Sequence, residues 1–231
     1  MTVFDRDYPF VDRHDAGLKL ARRLTRFATN HPVILALPRG GVPVAFEVAK
    51  ALDAALDLLF VRKIGAPGYE ELGIGAVVDG ASPQLVLNET IIRNLAPSPN
   101  YIREEMRRQL AEIDRRRIVY CGDHQPIAIT GRTVIVVDDG IATGGTMKAA
   151  LRGANKNDPA WLVLAVPVAP PSVVADLGSE CDEVICLETY EPFGAVGAFY
   201  RDFTQTSDAE VISLLNEAYA FGLRSARISS I

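Results

Sequence analysis

The stretch from Val134 to Ala150, VIVVDDGIATGGTMKAA, constrains the fold more than any other part of the chain. Its apolar opening predicts a buried strand, and that strand ends in two adjacent carboxylates, Asp138 and Asp139. Burying an ionised carboxylate is costly unless a partner compensates its charge. We therefore expect this strand to end at the rim of a sheet, where solvent or a bound ligand balances both charges.

The residues after the acidic pair predict a phosphate-binding turn that opens a helix. Glycines allow a tight turn and bring backbone amides close to a ligand. At the start of a helix the amides are unpaired and the dipole favours an anion, and Thr143 and Thr146 add hydroxyl donors. The predicted cradle consists of Ala142, Thr143, Gly144, Gly145 and Thr146. The carboxylates of Asp138 and Asp139 beside it are suited to accept hydrogen bonds from sugar hydroxyls.

Three other interpretations of this stretch are weaker. A nucleotide triphosphatase loop requires a lysine directly after its last glycine, and no lysine follows Gly144 and Gly145. A receiver domain carries its acidic pair at the end of the first strand and has no phosphate cradle. An ordinary loop with an aspartate cap would not require the apolar strand, the paired acids and the TGGT turn to coincide. We therefore favour the phosphate-binding turn.

Segments of strand and helix character alternate along the chain. The stronger strands are predicted at 33–38, 56–64, 133–139, 161–169 and 183–188, with helices after Asp12, between the strands and over 207–221. Such near-continuous apolar strands are typical of a parallel sheet covered on both faces. The predicted fold class is therefore α/β, with a central parallel sheet and helices on both faces.

Residues 65–126 are the most charged and least regular part of the chain, and they predict an excursion from the sheet. This region contains two weaker strands, at 73–78 and 84–88, and a long polar helix over 100–117.

Composition and charge narrow the function classes. With 231 residues, 48% of them hydrophobic, the chain can bury a core without disulfides, and we expect a single domain over residues 1–231. A net charge of −5 without a strong basic run argues against nucleic acid as a partner.

No apolar run reaches the ~18 residues of a membrane helix, and no signal peptide pattern is present, so we expect no membrane partner and a cytoplasmic location. The cysteines Cys121, Cys181 and Cys186 lack metal-ligand spacing.

The sequence VVDDGIATGGT, at 136–146, resembles the signature of the type I phosphoribosyltransferases, which bind 5-phosphoribosyl-1-pyrophosphate (PRPP). The resemblance implies the family's fold, in which a small hood lies beside the sheet. It also implies that Asp138 and Asp139 contact the ribose 2- and 3-hydroxyls while residues 142–146 wrap the 5-phosphate. The implied cofactor is Mg²⁺, carried largely by PRPP, which the two aspartates reach indirectly through PRPP and water. Members of the family are usually homodimers, so the resemblance also implies a homodimer here.

A second match is ALPRGGVPVAFEVAKAL, at 36–52, which resembles the family's pyrophosphate loop. Arg39 offers a guanidinium fork to phosphate oxygens, and Gly40 and Gly41 allow close backbone approach. The family often carries a cis peptide in this loop, which the resemblance places at Arg39–Gly40 or one bond away.

A third match is VRKIG, at 61–65, whose Arg62 and Lys63 we expect to end a strand at the same edge of the sheet. The resemblance implies that both residues serve the pyrophosphate and that Lys63 reaches it, in some relatives across a dimer interface. In relatives the following interval holds a mobile loop that closes over the reacting centre, and here that loop falls within 65–126.

The chain lacks the residues by which known members of the family recognise the base that accepts the phosphoribosyl group. Hypoxanthine-guanine members place an aspartate where this chain has Ala142, and they use a lysine near the next strand end, where 164–170 has none. The lysine-rich mobile loop of orotate-type enzymes is also absent, so the chain most resembles the uncharacterised branch of the family, some members of which are fused to esterase-like domains. The segment 187–205, termed the hood segment below, is expected to form the hood. Within it, Phe193 and Tyr200 either stack on a planar base or only pack the segment against the sheet.

Together these matches predict a transferase that moves the 5-phosphoribosyl group of PRPP to a nitrogenous base in nucleotide metabolism and releases pyrophosphate. Positive charge develops on the ribose as pyrophosphate leaves, so the protein contributes positioning and electrostatics. The implied catalytic residues are Asp138, Asp139, Arg39 and Lys63. The alternative is a non-catalytic PRPP or nucleotide sensor on the same fold. The presence of Arg39 and Lys63 favours the enzyme, whereas Ala142 in place of the loop aspartate favours the sensor.

Overall fold

The computed structural model describes residues 8–228, and over this range the chain forms seven α-helices and eight β-strands. The strands are β1 (Val33–Ala36), β2 (Ala55–Leu58), β3 (Val61–Ala66), β4 (Tyr69–Val78), β5 (Gln84–Leu87), β6 (Thr133–Val137), β7 (Trp161–Ala169) and β8 (Glu183–Thr189). The helices are α1 (Arg13–Leu24), α2 (Gly41–Leu52), α3 (Glu89–Leu95), α4 (Pro99–Cys121), α5 (Gly145–Asn155), α6 (Pro171–Leu177) and α7 (Asp208–Ile228). Short 3₁₀ helices lie at Thr25–Asn30 and Val196–Phe199.

Five strands form a central sheet in the order β2–β1–β6–β7–β8, and every neighbouring pair is parallel. The strands β1 and β6 are buried on both faces, which explains their continuous apolar sequences. Alternate residues of β6 face opposite sides: Ile135 and Val137 join the core beneath α1, α2 and α7, whereas Val134 and Val136 join the core beneath α5 and α6. The predicted α/β fold, with a parallel sheet between two helical layers, is confirmed.

The first and last helices begin where the sequence predicts. A carboxylate oxygen of Asp12 accepts a hydrogen bond from the backbone N–H of Asp15 at 2.8 Å and thereby caps α1. The helix ends at Leu24, and a 3₁₀ turn carries the chain on and buries Phe27. The last helix begins at Asp208 and extends beyond the predicted range.

The predicted strand over 56–64 is wrong in one respect, because it is two strands in two different sheets. The residue after β2 still donates its backbone N–H to the end of β1, at 2.9 Å. At Phe60 the backbone N–H turns to the buried carboxylate of Asp79, at 2.6 Å, and the chain enters β3. No glycine or proline lies within 56–64, so the sequence gives no sign of this change of direction.

Residues 65–126 are more regular than the sequence indicates. Strands β3, β4 and β5 form a second sheet that is antiparallel throughout, and the two weaker predicted strands correspond to β4 and β5. The predicted polar helix is α4. The second sheet packs against α5, so it lies beside the turn that opens that helix. The mobility predicted for part of this region stays a prediction. Within the described chain, no helix is both long and apolar enough to cross a lipid bilayer.

A buried ion-pair network joins the two sheets. Arg117 of α4 donates to Asp57 of β2 at 2.9 Å and to Asp79, directly after β4, at 3.0 Å. Its guanidinium also donates to the carbonyl oxygen of Leu58 at 2.9 Å. Burial raises the pKa of Asp79 to about 6, although Arg117 lies beside it. The network fixes the position of the second sheet, and therefore of β3, relative to the central sheet.

Candidate active site

The loop between β6 and α5 has the form of the predicted phosphate cradle. Asp138 and Asp139 follow β6 directly, and α5 begins at Gly145. Gly140 and Gly144 have φ angles of 154° and 78°, which L side chains rarely adopt, so the turn requires glycine at both ends. The exposed residues of the loop are Ala142, Thr143, Gly145 and Thr146. The amides of the first turn of α5 lack helical partners and are therefore available to an anion.

The loop after β1 interlocks with this turn. Since β1 and β6 pair in parallel, both loops leave the same edge of the sheet. The peptide bond Pro38–Arg39 is cis, one bond before Arg39–Gly40, as the resemblance implies. A Cβ atom on Gly41 would lie 2.8 Å from the last carbonyl oxygen of β6, and one on Gly40 would overlap the carboxylate of Asp139. Glycine at both positions therefore lets the two loops approach each other.

The two carboxylates of the acidic pair are partly buried. An oxygen of Asp138 accepts a hydrogen bond from the backbone N–H of Asp139 at 2.9 Å. Burial raises the pKa of Asp138 well above its usual range, and the neighbouring charge of Asp139 raises it further. Burial also raises the pKa of Asp139. The pair is therefore suited to partners that donate hydrogen bonds or carry positive charge.

Arg13, the first residue of α1, is the charge partner of Asp139. Its Nε donates to Asp139 Oδ2 at 2.7 Å, and the two side chains are only 11% and 13% exposed. Its Nη1 donates to the carbonyl oxygen of Thr204 at 2.8 Å, and its guanidinium carbon lies 3.8 Å from the ring centroid of Phe203. The prediction that solvent or a ligand balances both charges of the pair is therefore wrong for Asp139. No sequence motif identifies Arg13 as a partner of Asp139. The two residues are 126 positions apart in the sequence, and their contact depends on how α1 packs in the folded chain.

The hood segment packs directly beside the acidic pair. The Tyr200 hydroxyl donates to the carbonyl oxygen of Asp139 at 2.5 Å. Phe193 and Tyr200 are only 9% and 2% exposed, and they share an aromatic cluster with Phe10 and Phe199. A bridge between Phe10 and Tyr200 ties the segment to the chain before α1. The burial of these rings favours the packing alternative over a wall on which a base stacks.

Arg39 extends from the loop after β1 towards the start of α7. Its Nη1 donates to an oxygen of Asp208 at 3.2 Å, and the Tyr120 hydroxyl donates to the same oxygen at 2.7 Å. The hydrogen bond from Tyr120 lowers the pKa of Asp208, and the one from Arg39 lowers it further. The Arg39 side chain is 38% exposed, so its guanidinium retains donors that an anion can reach.

Arg62 and Lys63 lie in β3, at a cleft beside the phosphate cradle. A cavity of about 780 Å³ is lined by Arg62 and Lys63 from β3, by residues of α4 and by Thr146 of the cradle. Arg62 Nε donates to Gln109 Oε1 at 2.9 Å, whereas Lys63 is exposed. The expectation that both residues end a strand of the central sheet is wrong, but the second sheet still brings Lys63 and Thr146 to one cavity.

Comparisons with known proteins agree with this geometry. Residues 11–204 match the family model of the phosphoribosyl transferase domain. Two Mycobacterium tuberculosis proteins, from strains CDC 1551 / Oshkosh and H37Rv, are provisionally named phosphoribosyl transferases and are each 47% identical over 210 residues. The match covers 91% of this chain and 47% of each relative, so the chain spans about half the length of these relatives. The crystal structure of TT1426 from Thermus thermophilus is 42% identical and has a TM-score of 0.78, over 90% of this chain and 98% of that chain.

The matched region contains the elements that build the candidate site. The range 11–204 begins before α1 and ends after β8, so it includes Arg13, the whole central sheet and both loops at its edge. The similarity to TT1426 covers nearly all of that protein. This chain therefore belongs to the phosphoribosyl transferase family.

Proposed function

We propose that this protein is a Mg²⁺-dependent transferase that moves the 5-phosphoribosyl group of PRPP to a nitrogenous base and releases pyrophosphate, acting as a homodimer in nucleotide metabolism. The observation that carries the proposal is the meeting of two loops at one edge of the sheet. The loop after β6 presents the acidic pair and the start of α5, and the loop after β1 presents Arg39, Gly40 and Gly41. A ribose with a phosphate at one end and pyrophosphate at the other requires both kinds of loop.

The acidic pair and the cradle would hold the phosphoribosyl group. Asp138 and Asp139 would accept hydrogen bonds from the ribose 2- and 3-hydroxyls, and their negative charge would offset the positive charge that develops on the sugar. Residues 142–146 would bind the 5-phosphate through the backbone amides and the hydroxyls of Thr143 and Thr146. With both ends of the sugar fixed, the anomeric carbon is presented to the acceptor in one orientation.

The loop after β1 and strand β3 would stabilise the leaving pyrophosphate. Arg39 would exchange its contact with the exposed carboxylate of Asp208 for phosphate oxygens, which match its guanidinium fork. The backbone at Gly40 and Gly41 would approach the phosphates closely. Lys63, with Arg62 beside it, would approach across the cavity that it shares with the cradle. These groups would neutralise the charge that accumulates as the bond to the anomeric carbon breaks.

The residues at the site fit a magnesium ion that arrives with its substrate. Within the described part of the chain, no three His, Cys, Asp or Glu side chains gather into a metal site. Mg²⁺ is usually bound through one or two carboxylates together with substrate phosphates and water. Because Mg²⁺ also keeps several of its own waters, Asp138 and Asp139 would contact the ion indirectly, through PRPP and water. The bound ion would add positive charge beside the departing pyrophosphate.

Calorimetric titration with PRPP and Mg²⁺, followed by an assay of pyrophosphate release with a panel of nitrogenous bases, tests the proposal. We expect PRPP to bind, and pyrophosphate to be released only when the acceptor base is present. Binding without release for any base would favour the sensor alternative. If PRPP does not bind, the assignment of the loop after β6 is refuted.

Replacing Gly40 with alanine tests the interlocking of the two loops. The added methyl group would overlap the Asp139 carboxylate, so we expect that carboxylate to be displaced. The affinity for PRPP should fall by about tenfold or more, the order that follows from losing one charge-assisted hydrogen bond. Calorimetry measures the change, and Gly73→Ala is the control, because a Cβ atom there has no neighbour within 4 Å. Unchanged PRPP affinity in Gly40→Ala would contradict the role given to this contact.

A further inference from the structure

We propose that Arg13 is a positioning residue that orients the sugar-binding carboxylate of Asp139 and couples it to the hood segment. The proposal rests on the proposed function, because it takes the ribose hydroxyls as the partners of Asp139. Arg13 itself is not required to touch the substrate. It acts on the acidic pair through its ion pair with Asp139, in which Nε lies 2.7 Å from Oδ2.

Asp139 is held by the protein on several sides. Oδ2 of its carboxylate accepts the hydrogen bond from Arg13, and its carbonyl oxygen accepts one from the Tyr200 hydroxyl at 2.5 Å. Gly40 closes a third side, because no side chain larger than glycine fits against the carboxylate there. Since a carboxylate has two oxygens that each accept hydrogen bonds, Oδ1 retains its capacity to accept one from a sugar hydroxyl. The fixed Oδ2 therefore sets the direction in which Oδ1 is presented.

The contacts of Arg13 explain why an arginine suits this position. Its guanidinium binds Asp139, donates to the carbonyl oxygen of Thr204 and stacks on the ring of Phe203. A planar guanidinium with several donors and two flat faces can make all three contacts together, whereas an ammonium group cannot reproduce that geometry. Because Thr204 and Phe203 belong to the hood segment, a shift of that segment would move Arg13 and, with it, the carboxylate of Asp139.

The backbone position of Arg13 is fixed by the capping and packing of α1. Arg13 is the first residue of α1, which is capped by Asp12, and on the inner face of the helix Leu20 and Leu24 are completely buried. A group that orients a ligand-binding side chain works best from an element whose own position is fixed by packing. Arg13 is also the positive charge beside the two neighbouring carboxylates of the pair, which compensates part of the cost of placing them together.

Two substitutions of Arg13 test the proposal. Arg13→Met removes the donors and the charge but keeps an unbranched apolar side chain, and Arg13→Lys restores the charge without the planar fork. We expect the PRPP affinity of Arg13→Met, measured by calorimetry with Mg²⁺, to fall by about tenfold or more. Arg13→Lys should recover part of that loss. The affinity for inorganic phosphate, measured by ³¹P NMR titration, should change by less than about twofold, because the cradle is left intact. Arg23→Met, at an exposed position of the same helix, is the matched control.

Each result bears on the proposal in a defined way. Wild-type affinity for PRPP in Arg13→Met would overturn it, and so would an equal loss of PRPP and phosphate affinity, because that would indicate a general collapse of the site. If the wild-type protein binds phosphate but not PRPP, the proposed function fails by itself. The orienting contact of Arg13 with the Asp139 carboxylate, apart from any sugar, is then decided by a crystal structure of Arg13→Met: a changed Asp139 rotamer supports it, and an unchanged rotamer overturns it.

Discussion

Replacing Arg117 with methionine is expected to lower the free energy of unfolding by about 3–5 kcal/mol, the range found when one partner of a buried ion pair is removed. Arg117 is 8% exposed, and it is the guanidinium that Asp57 and Asp79 share. Both carboxylates lie between the two sheets at 5% exposure or less, so they would be left buried without their counter-ion. Urea denaturation at pH 7, followed by circular dichroism, measures the loss.

The dependence of this loss on pH separates a charge effect from a packing effect. Burial already raises the pKa of Asp79 to about 6 in the presence of Arg117, and removing the arginine would raise the folded-state value further. The folded state would then bind protons that the unfolded state releases, so the lost stability should return in part as the pH falls from 7 towards 5. Arg116→Met, which removes a half-exposed arginine paired with Glu112, should cost less than about 1 kcal/mol. A loss in Arg117→Met that does not vary with pH would show that packing, and not charge, dominates.

The same network connects stability with the site. Lys63 lies on the second sheet, whereas the acidic pair lies at the edge of the central sheet. Arg117 contacts the central sheet through Asp57 and the end of β4 through Asp79. The distance across the cavity shared by Lys63 and Thr146 therefore depends on a polar network that touches neither residue.

The centre of the parallel sheet could be predicted because β1, β6 and β7 are buried on both faces and therefore appear as continuous apolar runs between helices. The boundary between β2 and β3 could not be predicted, because residues 56–64 contain no glycine or proline to mark a break. The bend at Phe60 is fixed by Asp79, a residue that is distant in sequence. Local pattern therefore determined the element type correctly and its partner sheet incorrectly.

In the site, the sequence pattern predicted two glycine-containing loops that carry charged residues, and the structure brings both loops to one edge of the sheet. The pattern did not identify the residues that hold those charged groups. Arg13 contacts Asp139, and Asp208 contacts Arg39, across sequence separations of 126 and 169 residues. Both partners start helices, and charged residues at helix starts are common for local reasons. Their contacts with Asp139 and Arg39 depend on tertiary packing, which the spacing of residues within one segment does not predict.

Replacing Asp138 and Asp139 together with asparagine is expected to abolish PRPP binding, with an affinity loss of at least about a hundredfold, as follows from losing two charge-assisted hydrogen bonds. The substitutions keep the size of both side chains but replace acceptor-only carboxylates with amides that also donate. Stability should change little, because the repulsion between the two neighbouring carboxylates is removed and the asparagine Oδ1 at position 139 can still accept the hydrogen bond from Arg13.

Calorimetry with PRPP and Mg²⁺ measures this loss, and Asp114→Asn, at an exposed position of α4, is the matched control. Inorganic phosphate discriminates between the two parts of the loop: if the acidic pair binds the sugar and the start of α5 binds the phosphate, phosphate affinity should survive in the double variant. It should even rise slightly, because two negative charges near the anion have been removed. Retained PRPP affinity would mean that the sugar is bound elsewhere. Loss of affinity for both PRPP and phosphate would mean that the carboxylates maintain the shape of the loop and do not bind the sugar.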